Sequence, residues 1–153
     1  MELLRFHTLK KSRTVLPADV AFLKEIRSTW QKICQSPAGK FPHAYALAHV
    51  QVEDKDPMRA FVTHVGDIIM NPEILEQDEK VFHKEGCMTW PFRGIVKVRR
   101  YNKIKVKYEV LKVGKEEVET VTEDLVGLDA FIFQHEIGHF DLNTLYPPKK
   151  SQI

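Results

Sequence analysis

The residues best equipped for chemistry sit near the C-terminal end, where Gln134-His135-Glu136-Ile137-Gly138-His139 contains His-Glu-x-x-His. On a helix, positions four apart share a face, so His135 and His139 stand one turn apart. Two imidazoles so placed can hold one divalent ion, with Glu136 beside it to move protons. The competing reading of the same residues is a pair of core histidines on a terminal helix. Two protein ligands do not complete a catalytic centre. The rest of the chain has to supply a third and leave room for water.

Cys87 is the best third ligand. Gly86 and Gly94 flank it and permit a tight backbone. Cysteine, two histidines and one water make a tetrahedral hydrolytic centre, and residue chemistry alone favours zinc in it. A fourth protein ligand, His83 or His49, would instead close the site into a structural one. A buried, inert thiol is the remaining alternative for Cys87.

These residues need a framework. The chain has 153 residues, enough for one domain with a sizeable core, and we read 1–153 as a single unit. With 23 basic and 21 acidic side chains its formal charge is +2, which neither demands nor forbids a nucleic-acid partner. Two cysteines, Cys34 and Cys87, do not make a disulfide framework and fit a reducing compartment. No apolar run reaches membrane-span length, and the opening residues do not read as a signal peptide.

Pro17 and Asp19 suit a helix opening, and Phe22, Ile26, Trp30 and Ile33 then recur at helical spacing. Ser36 to Lys40 ends that helix. Ala44 to Val52 is expected to enter a sheet, with short strands at Arg59 to Val65 and Ile68 to Met70. A turn is expected at Asn71-Pro72 and a solvated stretch from Glu73 to Lys80. Ile104, Val106, Tyr108 and Val110 alternate with Lys103, Lys105, Lys107 and Glu109, the pattern of a half-buried antiparallel strand. Its lysines are read as a solvated, charge-protected face rather than a phosphate-binding stripe. The last helix is expected to start between Thr120 and Glu123 and to run through Phe140, with Leu125, Leu128, Ile132, His135 and His139 on one stripe. The composite is an α+β domain.

Two motifs together resemble the peptide deformylases. Glu85-Gly86-Cys87-Met88-Thr89 is similar to that family's Glu-Gly-Cys-Leu-Ser, and Gln134 to His139 is similar to its Gln-His-Glu-x-Asp-His. Asn71-Pro72-Glu73-Ile74, Pro91, Arg93-Gly94 and Val96 fall in family-like order. The resemblance implies antiparallel strands around a central metal-binding helix, with Cys87, His135 and His139 as ligands and Glu136 as general base and acid. It implies one divalent ion, ferrous iron natively, with zinc and nickel as alternative occupants. The implied reaction is hydrolysis of the N-formyl group from formyl-methionyl peptides of nascent proteins. The setting would be cytoplasmic, or organellar in a eukaryote, with transient proximity to the ribosome and neither nucleic-acid nor membrane binding. Gln51 and the Met88 amide would stabilise the oxyanion, and Tyr45, Trp90, Phe131 and Ile132 are candidate walls for the substrate side chain.

The sequence also departs from the family. Its first motif, Gly-x-Gly-Leu-Ala-Ala-x-Gln, corresponds to Ala44-Tyr45-Ala46-Leu47-Ala48-His49-Val50-Gln51. Both glycines are alanine, and His49 adds volume near the expected substrate path. Gly138 replaces an aspartate. Val98 falls where the family carries an arginine, a role that Arg99 or Arg100 takes after a local shift, with Glu85 as the ion-pair partner. The long basic C-terminal helix of some bacterial relatives has no counterpart here, so docking by that helix is not expected. These changes leave a second reading, a catalytically degenerate relative that binds a peptide or partner without turnover.

Overall fold

The computed structural model describes residues 1–4, 10–37, 43–87 and 94–142. Pro17–Asp19 forms a single 3-10 turn that feeds helix α1, Val20–Gln35. Leu23, Trp30 and Cys34 are buried, whereas Phe22, expected on the packed face, is 45% exposed. The Cys34 thiol lies inside the core, and burial pushes it up to about 12, so it serves as a small apolar filler.

Five strands follow: β1 (Ala46–Ala48), β2 (Ala60–Thr63), β3 (Ile68–Glu85), β4 (Val96–Leu111) and β5 (Glu119–Val126), then helix α2 (Leu128–Phe140). The sheet has the order β1-β2-β3-β4-β5, and every neighbouring pair is antiparallel. The class is α+β, as expected. One core cluster gathers Phe61, Val106, Tyr108, Ala130, Phe133 and Phe140, so α2 lies on the sheet. Phe133 meets Phe61 edge-on at 5.2 Å and Tyr108 at 5.1 Å. The second cluster joins Leu23, Trp30 and Cys34 of α1 to Leu47, Val62, Ile68 and Leu111.

Glu73 to Lys80 is solvated, as expected, and forms the middle of β3, where Glu73, Glu76 and Asp78 face Lys107, Lys105 and Lys103. The polarity there reflects cross-strand charge pairing on an exposed sheet face. Asn71 does not open the turn expected there. It sits at φ 49° in a register shift between Met70 and Glu73, with its side chain bonded to both backbone groups of Val15. The helix expected from Thr120 starts only at Leu128, because Glu119 to Val126 pairs with β4 as β5. Val121, Thr120, Thr122 and Val126 are β-branched and suit a strand. Gly127, at φ 70° and ψ −133°, supplies the backbone turn from strand to helix that other residues resist. The lysine strand itself lies inside the sheet between β3 and β5, not at an edge. Thr89, Trp90, Pro91, Arg93 and the Pro147 to Lys150 tail lie outside the described residues.

Candidate metal centre

α2 is docked on β4 by one side chain that imitates a strand. Gln134 Oε1 accepts from the Tyr101 N–H at 2.8 Å, and Gln134 Nε2 donates to the Tyr101 carbonyl at 2.8 Å. With that register set, the next residue, His135, and His139 one turn on point toward the end of β3. His139 Nε2 lies 3.2 Å from His135 Nε2 and 3.4 Å from Cys87 Sγ. The three donor atoms all lie within 4.8 Å of one another. A tetrahedral ion with one sulfur and two nitrogen ligands separates its donors by about 3.3–3.6 Å, given ordinary bond lengths. The cluster therefore fits a single small divalent ion. Neither His83 nor His49 joins it.

The acidity of the cluster suits ligation. Burial alone would raise the Cys87 thiol, but the His139 and His135 imidazoles outweigh it and hold it well below the usual thiol value. His135 moves the other way. Burial disfavours its charge, yet Cys87 and Glu85 raise it to about 10. Glu85 is the hub behind the ligands. Its two oxygens receive Arg100 Nη2 and Nε at 2.8 and 2.9 Å, His135 Nδ1 at 2.9 Å and His83 Nδ1 at 2.9 Å. Burial opposes its charge, but these donors prevail and hold the carboxyl at about 2. A carboxylate accepting at Nδ1 fixes the tautomer that leaves His135 Nε2 as the donor atom facing His139 Nε2. Arg100, not Arg99, is thus the partner of Glu85. His139 has no equivalent support, since its buried Nδ1 lacks a hydrogen-bond partner among the described residues.

The expected Gln51 is delivered by the single 3-10 turn His49–Gln51. Its Oε1 accepts from the Ala48 N–H at 2.9 Å, which aims Nε2 at Cys87 Sγ, 3.7 Å away. Glu136 is buried, burial raises its carboxyl, and Oε2 has no hydrogen-bond partner among the described residues. Met88, the other expected oxyanion donor, lies outside the described residues.

A cavity of about 260 Å³ opens onto this cluster. Gln51, Glu85, Cys87, His135 and Glu136 border it, and Tyr45, Leu128, Phe131 and Ile132 form apolar walls. Tyr45, Phe131 and Ile132 were legible as candidates. His83, stacked on Phe131 at 4.3 Å, was not, because its place on the wall depends on the β3 register. His49, expected to crowd this path, does not border the cavity. It is buried against Trp30 at 5.5 Å, and its Nδ1 accepts from the Met58 N–H at 3.0 Å. Ala44 and Ala46 replace the glycines without strain, since neither takes a positive φ.

A family model for polypeptide deformylase matches residues 37–148. The chain belongs to the peptide deformylase family. It is 40% identical over 100 residues to the peptide deformylase of Thermotoga maritima, a match covering 60% of this chain and 57% of that one. The match to the enzyme of Aquifex aeolicus is 37% over 87 residues, or 57% of this chain and 44% of that one. In sequence the chain thus spans about half the length of these curated relatives. In structure the coverage is fuller. The crystal structure of the T. maritima peptide deformylase superposes with a TM-score of 0.73 at 29% identity, over 95% of this chain and 97% of that one.

Proposed function

We propose that this deformylase-family chain hydrolyses the N-formyl group of formyl-methionyl peptides. The observation that carries the reading is the convergence of Cys87, His135 and His139 donors beside an apolar-walled cavity that Cys87, His135, Glu136 and Gln51 border. A divalent ion, ferrous iron in our reading and replaceable by zinc or nickel, supplies charge that polarises the formyl oxygen and acidifies water.

The protein's own groups do the rest. Glu136 takes the proton of the attacking water, whose oxygen bonds to the formyl carbon. Gln51 Nε2 donates to the carbonyl oxygen as negative charge gathers on it, with its amide already oriented by Ala48. The carbon–nitrogen bond then breaks, Glu136 returns the proton to the departing amine, and formate leaves. Burial, which raises the Glu136 carboxyl, brings it toward the range where a carboxyl both accepts and returns a proton. Leu128, Phe131 and Ile132 receive the methionine side chain and exclude water. The substrates are nascent chains, so the proposed setting is cytoplasmic, or organellar in a eukaryote.

The second reading, peptide binding without turnover, draws on Gly138 and on the unsupported Nδ1 of His139 beside it. Metal content of the purified protein against that of Cys87→Ala tests the site. Formate release by the loaded protein tests the reaction.

A further inference from the structure

We infer that the outer face of the β3–β4 ribbon beside the cavity is a docking surface for single-stranded RNA. Along this face β3 and β4 change character abruptly. In one half, the cations of β4 face carboxylates: Lys103, Lys105 and Lys107 stand opposite Asp78, Glu76 and Glu73, and Lys103 and Lys105 form ion pairs with Glu79 and Glu76. In the half nearest Cys87 the pairs are Lys80 with Tyr101, Phe82 with Arg99 and Lys84 with Lys97. Four cations occupy this half, and among the described residues none has a carboxylate within ion-pair distance.

The partners that replace the carboxylates are aromatic. Phe82 is 63% exposed, with Lys97 Nζ 5.3 Å and the Arg99 guanidinium 5.4 Å from its ring centre. Lys80 Nζ lies 5.9 Å from the Tyr101 ring. A ring face holds a cation in place without neutralising it, so the charges stay available to an outside anion. Lys84 facing Lys97 is a like-charge pair directly across two strands, which costs stability. An external polyanion offsets that cost.

The spacing favours a nucleic-acid strand over scattered carboxylates. Same-face residues recur about every 6.6 Å along a strand, close to the separation of successive phosphates on an extended chain. The Phe82 ring, 63% exposed, offers a base an apolar contact. Lys84 also borders the cavity, so the docked strand lies beside its mouth. The expectation of no nucleic-acid partner weighed only the lysines of 103–107, which stand opposite carboxylates. This inference does not depend on the proposed hydrolysis.

The test is binding of a labelled oligouridylate by the full chain across a salt series. We expect log K to fall linearly with log salt. The slope becomes shallower by about 1.4 in Lys97→Gln/Arg99→Gln, and equally in Lys80→Gln/Lys84→Gln, at about 0.7 per cation for a single strand. Lys32→Gln/Lys55→Gln, with the same charge change elsewhere, leaves the slope unaltered. Circular dichroism checks each fold, and the two patch variants guard against failure of either one. No RNA binding at low salt overturns the inference, as does an equal loss in the Lys32/Lys55 variant. Tighter binding of polyglutamate than of RNA overturns it in favour of an acidic protein partner.

Discussion

Glu85 Oε1 accepts a 2.9 Å hydrogen bond from His135 Nδ1 across 50 residues of chain, joining the end of β3 to the helix that carries His135 and His139. The bond orients one histidine of the candidate metal cluster while Arg100 holds the carboxylate itself. Glu85→Ala should weaken divalent-metal affinity by about 10–100-fold, the usual effect of losing a partner behind a ligating histidine. Competition against a chromophoric chelator measures it. Unchanged affinity would mean that packing alone orients His135.

The two adjacent arginines should behave differently. Arg100 points inward to the buried Glu85, whereas Arg99 lies outside over Phe82. Arg100→Ala strips a buried carboxylate of its bidentate partner, for which we expect a loss of about 3 kcal/mol in denaturant unfolding. Arg99→Ala should stay within about 0.5 kcal/mol. Equal losses would contradict the β3–β4 register.

That pair also marks what the sequence could and could not reveal. The cluster of Cys87, His135 and His139 was legible because the two histidines stand one helical turn apart and Cys87 lies in a motif that resembles the family's. The choice between Arg99 and Arg100 was not legible, since a one-residue change of register exchanges the two faces of a strand. The expected start of α2 came too early because Leu125, Leu128, Ile132 and His135 follow one another at intervals that imitate one continuous helix. Only the β-branched residues from Val118 to Val126 and the following Gly127 carried the opposite signal. His49 looked like an obstruction because the sequence gives its position in the motif but not the direction of its side chain.

His49 gives the fold a pH dependence. Burial depresses its imidazole from 6.5 to about 4, with nearby carboxylates and Arg13 as smaller influences. The folded state therefore binds fewer protons than the unfolded state between these values. Its contribution is complete above about pH 6.5 and is lost as pH falls toward 4, a span of about 3 kcal/mol. His49→Gln keeps an acceptor for the Met58 N–H but does not titrate. Urea unfolding at pH 7 and pH 4.5 should show a smaller loss in the variant than in the unsubstituted protein. Parallel losses would remove His49 from the account.

Glu136→Gln should retain the metal, because it changes the proton carrier and not a ligand, while kcat falls by at least about a hundredfold. Gln51→Ala should reduce kcat more than it raises KM, since its hydrogen bond strengthens as the oxyanion forms. Full kinetics with metal occupancy measured on the same samples distinguish these effects from simple loss of the ion. Near-normal turnover by fully loaded Glu136→Gln would defeat the proton-transfer role.

Formate release tests the central claim most directly. The protein is prepared without oxygen, loaded with ferrous iron to one ion per chain and given a formyl-methionyl peptide. We predict formate and free N-termini in equal amounts, neither produced by metal-free protein nor, beyond a trace, by loaded Glu136→Gln. A fully loaded protein that binds the peptide yet releases no formate above the metal-free control would contradict the claim and leave a peptide-binding member of the family.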